Sequence, residues 1–321
     1  MRLRLVSRQP HLGKQIAQTR AAPTLENQRR LLLMRHRAGI RLLDEAPSQP
    51  RFVEPEVDRL PPEEPLPDLE AGAISAGVIR AAILRDGAAL VRGLIPPETA
   101  TTLAEELNHA YRERQHFQDG GTAAPGYYEE FEHEPQFAPV SRVWVQTAGG
   151  LLMVDSPILS FAVTEAFSAA GVPALVSEYL GEPALLSEQK TTLREADPSV
   201  AGAWHQDGKF MGPVRALNLW VSLSNCGADA PGLDLVPRRL DDYVATGAEL
   251  DWTVSDAEAR KAAGAAGIVR PIFEPGDAMF FDELFLHKTG SDPAMSKPRL
   301  AIESWFFGAS EFPGDYAPLA V

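Results

Sequence analysis

Two histidines and one aspartate are the side chains of this sequence best suited to chemistry, because together they could hold one metal ion. In the segment Trp204-His205-Gln206-Asp207-Gly208, between two predicted strands, the alternate residues His205 and Asp207 point to the same side of an extended chain. His287 follows a glycine-led apolar segment, residues 276–281, and supplies a second imidazole. Two histidines and one carboxylate bound to Fe(II) leave three coordination positions open. The pattern therefore predicts a metal site with room for other ligands.

Cationic and polar residues follow the second histidine at spacings that suit binding of a carboxylate. Thr289 takes the next same-side position after His287 on an extended chain, and Arg299 begins another predicted strand. A guanidinium offers a planar fork that matches a carboxylate. The alternative for Arg299 is a surface strand residue that pairs with an acid. Glu303 shares the parity of Arg299 and is expected to face the same interior, where Arg194 or a substrate amine would be its partner.

The elements that must position these residues change in character along the chain. Helical patterns dominate up to residue 181, and short strand candidates separated by turn residues follow at 184–193, 215–224, 232–236, 278–281 and 300–307. This order predicts an antiparallel sandwich or barrel with helices packed outside, a mainly β fold. We expect a basic N-terminal arm over 1–45, with an amphipathic helix at 27–43, and a proline-rich connector over 46–72. A single domain over 73–321 would comprise helical support at 73–183, a β core at 184–310 and a helical insertion at about 251–267.

Charge and composition exclude several classes of function. Residues 1–51 carry eleven basic and three acidic residues, a charge of +8. Because the net charge of the whole chain is −14, the remaining residues carry a charge of −22. So acidic a body argues against nucleic-acid binding, and no apolar run reaches the length of about 18 residues that a membrane span needs. One cysteine, Cys226, fits a reducing compartment, which predicts a cytoplasmic protein. The basic arm would fold back on the acidic body or cross to a neighbouring subunit, so a homodimer is possible and the oligomeric state is open.

The joint pattern resembles the phytanoyl-CoA dioxygenase (PhyH-like) superfamily of Fe(II)- and 2-oxoglutarate-dependent oxygenases. The resemblance covers roughly residues 74–307 and is strongest from Gln189 onward. It implies a double-stranded β-helix, a jelly-roll or cupin-like core, with His205, Asp207 and His287 as iron ligands. It also implies 2-oxoglutarate as co-substrate. The residues expected to contact it are Arg299 and Thr289 on the distal carboxylate, Trp220 beside it, and Gln189 on the strand entering the metal motif.

The activity implied by the resemblance is hydroxylation of an aliphatic C–H bond of a small molecule, with O2 consumed and succinate and CO2 released. Asp207 fills the position that is left open to halide in related halogenases, which favours oxygenation. Arg194, Trp204, Lys209 and Phe210 are the residues expected to contact the substrate, whose identity the sequence leaves open. Two alternatives remain: a metal-dependent enzyme of another reaction type on the same barrel, and a non-catalytic ligand-binding module.

Overall fold

A computed structural model describes residues 12–47, 49–61, 65–200, 202–212, 214–246 and 252–321. Its α-helices are α1 (Leu12–Arg20), α2 (Leu25–Asp44), α3 (Ala76–Asp86), α4 (Pro97–Gln118), α5 (Arg142–Thr147), α6 (Pro157–Ala169), α7 (Val172–Leu180), α8 (Gly208–Met211) and α9 (Asp256–Ala263). Its strands are β1 (Asp68–Glu70), β2 (Ala88–Arg92), β3 (Gly150–Leu152), β4 (Ala184–Ala196), β5 (Trp204–His205), β6 (Ala216–Ser222), β7 (Gly232–Leu235), β8 (Thr253–Val254), β9 (Ala278–Asp282), β10 (His287–Gly290), β11 (Arg299–Gly308) and β12 (Pro318–Ala320).

Within the described part of the chain, the strands form two sheets. The larger sheet has eight strands in the order β1-β2-β9-β6-β11-β4-β12, with β3 paired to β4. The smaller sheet has four strands in the order β7-β10-β5-β8. The pairs described are antiparallel except for β1 with β2, in agreement with the antiparallel arrangement that the sequence predicts.

Alternate residues of the central strands separate two apolar layers. Leu219 and Ile302 pack on the side of the large sheet that the helices α3, α4, α6 and α7 cover. Trp220 and Ala301, their neighbours in sequence, pack on the other side together with Leu235 of the small sheet. Because the side chains of a strand alternate between its faces, the second layer lies between the two sheets.

The predicted fold class is confirmed only in its coarser form, because the protein mixes helices and sheet around one large sheet. The description as mainly β is too narrow, since more of the described residues lie in helices, of which α2 and α4 are the longest, than in strands. Helix boundaries in the first half follow local signals. For α7, Pro173 lies in the first turn, and Gly181 ends the helix with φ 74°, a left-handed conformation that glycine adopts without strain.

The helix α2 is the predicted amphipathic helix of the basic arm, and it folds back on the body of the chain. Its apolar side is buried. Arg35 donates to the carbonyl of Ala320 at 3.0 Å, and His36 Nδ1 donates to the carbonyl of Pro318 at 2.9 Å, so α2 is bound to β12. Residues 1–11 of the predicted arm lie outside the described part. The division of the chain into arm, connector and domain stays a prediction.

The proline-rich connector predicted over 46–72 contains regular structure near its end. The prolines stop at Pro67, so Asp68–Glu70 keep their amide donors and pair in parallel with β2 at the edge of the large sheet. Arg92 reinforces this pairing through a bidentate ion pair with Asp68, in which both N–O distances are below 2.9 Å.

The predicted insertion at about 251–267 contains α9 preceded by β8, and residue 251 lies outside the described part. β8 pairs with β5, and its two residues, Thr253 and Val254, are β-branched. Among the described residues, no single helix is both long and apolar enough to cross a membrane. The consecutive helices α6 and α7 satisfy the same criterion only as a pair bent by 74°.

Candidate active site

The small sheet brings the three predicted metal ligands together. His205 on β5 and His287 on β10 are direct partners in the antiparallel register, with ring centroids 4.5 Å apart. Asp207 lies in the turn that joins β5 to α8. Its carboxylate oxygens are 3.8 Å from His205 Nε2 and 3.6 Å from His287 Nε2. One ligand atom from each residue lies within 4.8 Å of the others, a separation that one metal ion can span.

Backbone carbonyls fix the proton on each ring. His205 Nδ1 donates to the carbonyl of Ala203 at 2.7 Å, and His287 Nδ1 donates to that of Phe285 at 3.1 Å. A carbonyl oxygen only accepts, so Nε2 of each ring is left with its lone pair directed toward Asp207. Burial lowers the pKa of His287 to about 4, which keeps this ring neutral. Two imidazoles with Nδ1 bonded to a backbone carbonyl, together with one carboxylate, fit a divalent transition metal such as Fe(II).

Gln206, the middle residue of the motif, fixes the segment that carries His205 and Asp207 through hydrogen bonds to the backbone of other segments. Its amide Nε2 donates to the carbonyl of Leu284 at 2.6 Å and to that of Asp242 at 3.2 Å. Its Oε1 accepts from the backbone N–H of Val244 at 2.8 Å. Because the side chain is 1% exposed and bonded at both ends, it ties the short strand β5 to two other segments.

A cavity of 570 Å³ adjoins the three residues and is lined from both sheets. This volume lies within the range of about 300–1,000 Å³ that is common for small-molecule sites. The side chains of the large sheet that line it come from β4, β6 and β11: Lys190, Thr192, Arg194, Asn218, Glu303 and Trp305. Trp144, Phe210 and Trp252 add aromatic surface, so the cavity combines charged and apolar walls.

An ion pair crosses the wall of this cavity. Arg194 donates to Glu303 at 2.8 Å, and Thr192 donates to the same carboxylate at 3.1 Å. Burial raises the pKa of Glu303, but the cations Arg194 and Arg299 outweigh it, and the pKa lies below its usual value. Glu303 is therefore ionised, and its interior position and its pairing with Arg194 agree with one of the two partners that the sequence suggests.

Arg299 is fully buried, yet its guanidinium is only partly satisfied. Nη1 donates to the carbonyl of Gly232 at 3.0 Å, whereas Nε and Nη2 have no hydrogen-bond partner among the described residues. The guanidinium carbon lies 5.3 Å from the ring centroid of Trp220, and burial lowers the pKa of Arg299 to about 10. Thr289 lines the cavity, and its register partner is Leu233. Leu233 directly follows Gly232, whose carbonyl binds Arg299, so Thr289 lies near the guanidinium of Arg299. Two free donors on a buried cation fit an anionic ligand.

Other residues expected from the sequence to contact substrate or co-substrate divide into two groups. Arg194 and Phe210 line the cavity. Lys209 does not, because it projects from α8 with its Nζ 4.7 Å from the ring centroid of Tyr243. Trp204 precedes His205 and therefore faces the opposite side, where its Nε1 donates to Asp256 at 2.8 Å.

Gln189 also points away from the cavity. Its amide donates to the carbonyl of Ala138 at 3.3 Å, and its Oε1 accepts from the backbone N–H of Ala317 at 2.9 Å. Lys190, Thr192 and Arg194 all line the cavity, so simple alternation along β4 places Gln189 on the opposite side. Thus Lys190, not Gln189, reaches the cavity.

Sequence reasoning missed several of the residues that line the cavity. Asn218 has the same parity as Trp220, so strand alternation could have found it. Trp252 carries no periodic signal in the sequence. Trp144 is 43% exposed and also lines the cavity.

The fold and the site together define a class: a two-sheet enzyme scaffold with a mononuclear centre of two histidines and one aspartate beside a small-molecule cavity. The chain belongs to the phytanoyl-CoA dioxygenase (PhyH) family, whose model matches residues 83–293. This match confirms the resemblance drawn from the sequence and the class of iron- and 2-oxoglutarate-dependent enzymes. The matched range includes His205, Asp207, His287 and Thr289 but ends before Arg299.

Solved structures with a similar fold exist at low sequence identity. EctD from S. alaskensis, solved with 2-oxoglutarate and 5-hydroxyectoine, is 16% identical with a TM-score of 0.52, and the match covers 83% of this chain and 86% of EctD. AviO1 from Streptomyces viridochromogenes Tue57 is 20% identical over 74% of this chain and 97% of AviO1, with a TM-score of 0.47. The epimerase SnoN, solved with Fe3+, alpha ketoglutarate and nogalamycin RO, is 18% identical over 74% of this chain and 86% of SnoN, also at 0.47. A comparison with curated protein sequences finds no match.

Proposed function

We propose that the protein is an Fe(II)- and 2-oxoglutarate-dependent dioxygenase that hydroxylates an aliphatic C–H bond of a small molecule and releases succinate and CO2. The observation that carries this proposal is the geometry of His205, Asp207 and His287. In each imidazole Nδ1 donates to a backbone carbonyl, which leaves Nε2 without a proton and near the carboxylate of Asp207. The three groups adjoin a cavity. Membership of the PhyH family supports the same assignment.

The proposal includes a double-stranded β-helix core. Two facing sheets with an apolar layer between them, and a metal triad on the smaller sheet, support this architecture. The likeness to EctD supports it as well, at the level of the fold.

The roles of the residues follow from their positions. His205, Asp207 and His287 would bind iron on one face, and bound iron would supply the open coordination positions and the redox chemistry that C–H hydroxylation requires. Arg299 would hold the distal carboxylate of 2-oxoglutarate with its two free donors, together with the hydroxyl of Thr289. Trp220 packs against that guanidinium and restricts its orientation.

The remaining walls would orient substrate and limit water. Trp305 is 4% exposed and lines the cavity beside Asn218, its register partner on β6. The ionised Glu303 is neutralised by Arg194, so this part of the wall offers no free base. The arrangement assigns binding, orientation and exclusion of water to the protein, in agreement with a reaction that requires little general acid–base chemistry.

The test is anaerobic titration of the purified protein with Fe(II) and 2-oxoglutarate, followed by a succinate-release assay with a metabolite library. We expect a charge-transfer absorption band that depends on both components and its loss in His205→Ala. His109→Ala is the matched control, because His109 lies on α4 and contacts the ring of Tyr127, outside the cavity.

The two alternatives give different results in the same experiment. A protein that takes up no Fe(II) and develops no absorption with 2-oxoglutarate would be a binding module. A protein that binds metal, but whose turnover and co-substrate affinity survive Arg299→Ala, would be a metal-dependent enzyme of another reaction type.

A further inference from the structure

Lys190 projects from β4 into the cavity and is surrounded by aromatic rings. Its Nζ lies 5.2 Å from the ring centroid of Trp144, 5.4 Å from that of Phe210 and 5.9 Å from that of Tyr316. These rings interact favourably with a cation and also restrict the ammonium group to one region of the cavity. The side chain is therefore positioned rather than free to move into solvent.

Lys190 differs from the other charged groups of the cavity wall in having no ion-pair partner among the described residues. Glu303 is paired with Arg194, and Asp207 faces the two metal-site histidines. Burial lowers the pKa of Lys190, and the more distant charges of Asp207 and Glu303 oppose this effect. An ammonium group removed from water loses free energy of hydration, and a direct anionic partner would restore part of it.

In the charge balance of the site with Fe(II) and 2-oxoglutarate bound, Lys190 again has no partner. If the proposed function holds, the two charges of Fe(II) are balanced by Asp207 and one carboxylate of 2-oxoglutarate. The second carboxylate is balanced by Arg299, and Glu303 already neutralises Arg194. Lys190 then carries the one uncompensated positive charge among the described residues that line the cavity.

The surface beside Lys190 is apolar and aromatic. Phe210 is 40% exposed, and its ring centroid lies 5.2 Å from that of Trp252 and 5.9 Å from that of His205. Trp144, on the other side of Lys190, is also exposed to the cavity. Exposed aromatic side chains in a concave site favour ligands with an apolar or planar body.

We propose that the substrate is a carboxylate-bearing small molecule whose carboxylate binds Lys190 Nζ and whose apolar or planar body lies against Trp144, Phe210 and Trp252. The inference rests on the proposed function, because it assigns Arg299 to the co-substrate and Lys190 to the substrate. Lys190 is thereby a specificity-determining residue. It selects the charge of the molecule that enters beside the metal.

The test uses three probes that differ only in their head group: 3-phenylpropanoate, 3-phenylpropanamide and 3-phenylpropylamine. Binding is measured anaerobically through the change that each probe causes in the absorption of the Fe(II)–2-oxoglutarate protein, and independently through tryptophan fluorescence of the metal-free protein. The variants are Lys190→Met, which removes the charge at similar length, and Lys190→Arg, which keeps it. Lys261→Met is the control, since Lys261 lies exposed on α9 and pairs with Glu258.

We expect the wild type, Lys190→Arg and Lys261→Met to bind the acid about tenfold to a hundredfold more tightly than the amide, the range of one charged hydrogen bond. In Lys190→Met this preference should disappear while the titration with 2-oxoglutarate stays unchanged. Equal or tighter binding of the amide or the amine by the wild type would overturn the proposal, as would a preference that survives Lys190→Met. No binding of the acid at millimolar concentration would also count against it.

Two further outcomes separate this inference from the proposed function. If Lys190→Met weakens 2-oxoglutarate as strongly as the acid probe, Lys190 belongs to the co-substrate and the inference is wrong while the dioxygenase assignment stands. If the wild type gives no absorption band with Fe(II) and 2-oxoglutarate, the proposed function fails. The fluorescence arm then decides whether Lys190 still selects a carboxylate.

Discussion

Replacing Arg299 by methionine should separate the stability of the protein from its affinity for 2-oxoglutarate. Nε and Nη2 of Arg299 are buried without partners among the described residues, and each such group carries a desolvation cost of about 1–3 kcal/mol. Methionine removes this cost at similar length and forfeits the hydrogen bond to Gly232. Without 2-oxoglutarate, we therefore expect the free energy of unfolding of Arg299→Met to equal or exceed that of the wild type.

The same substitution should abolish most of the stabilisation by co-substrate. Two charged hydrogen bonds to a carboxylate contribute about 3 kcal/mol or more, so their loss weakens Kd about a hundredfold. A ligand present at about 100 times its Kd raises the free energy of unfolding by about 2.7 kcal/mol. At the same concentration, a Kd that is a hundredfold weaker leaves about 0.4 kcal/mol.

Urea unfolding of the anaerobic Fe(II)-loaded protein, with and without 2-oxoglutarate, measures both effects, and the absorption titration gives Kd independently. Arg35→Met is the matched control, because Arg35 is also a buried arginine whose hydrogen bond goes to a backbone carbonyl, but it lies on α2. The control should respond to 2-oxoglutarate as the wild type does. A response of Arg299→Met within about threefold of the wild-type Kd would refute the assignment of this arginine.

Three further experiments test other parts of the site and fold. Gln206→Ala should weaken metal binding about tenfold to a hundredfold, as loss of a supporting hydrogen bond does, and an unchanged Fe(II) titration would contradict its positioning role. Arg194→Met and Glu303→Gln should each destabilise the protein more than the double variant does. A double-mutant cycle by urea unfolding should therefore give a coupling energy of about 2 kcal/mol, and additive losses would show that the pair is not coupled. Burial raises the pKa of Glu188 to about 7, so the wild type should lose stability as the pH rises from about 4.5 to 7, by up to about 3 kcal/mol. Glu188→Gln should not show this pH-dependent loss of stability in thermal unfolding. The same pH dependence in the wild type and in Glu188→Gln would contradict the raised pKa of Glu188.

The metal-site cluster could be predicted from the sequence because its signals are local. His205 and Asp207 are two residues apart at a strand end, so alternation alone places their side chains on the same side. His287 follows a glycine-led strand, which is also a local signal. Their convergence depends on the antiparallel pairing of β5 with β10, which no local pattern encodes. The order of the elements along the chain made up for that missing information.

The errors have two causes: alternation that was not applied, and long-range pairing that no local pattern encodes. Gln189 belongs to the first, because it has the parity opposite to Lys190, Thr192 and Arg194, which line the cavity. Asp68–Glu70 become a strand because the neighbouring β2 offers an edge, although the segment before them is rich in proline. Trp252 reaches the cavity from a stretch without periodicity, so only the tertiary structure identifies it.

The attachment of α2 to β12 has a consequence for the order of folding. Arg35 and Ala320 are 285 positions apart, and His36 and Pro318 are 282 apart, so these contacts close loops that span most of the chain. Closing a long loop costs entropy before any contact compensates for it, which favours late formation. The first long helix of the sequence should thus dock only after the last strand has joined β4, and under mild destabilisation it should be among the first segments to detach.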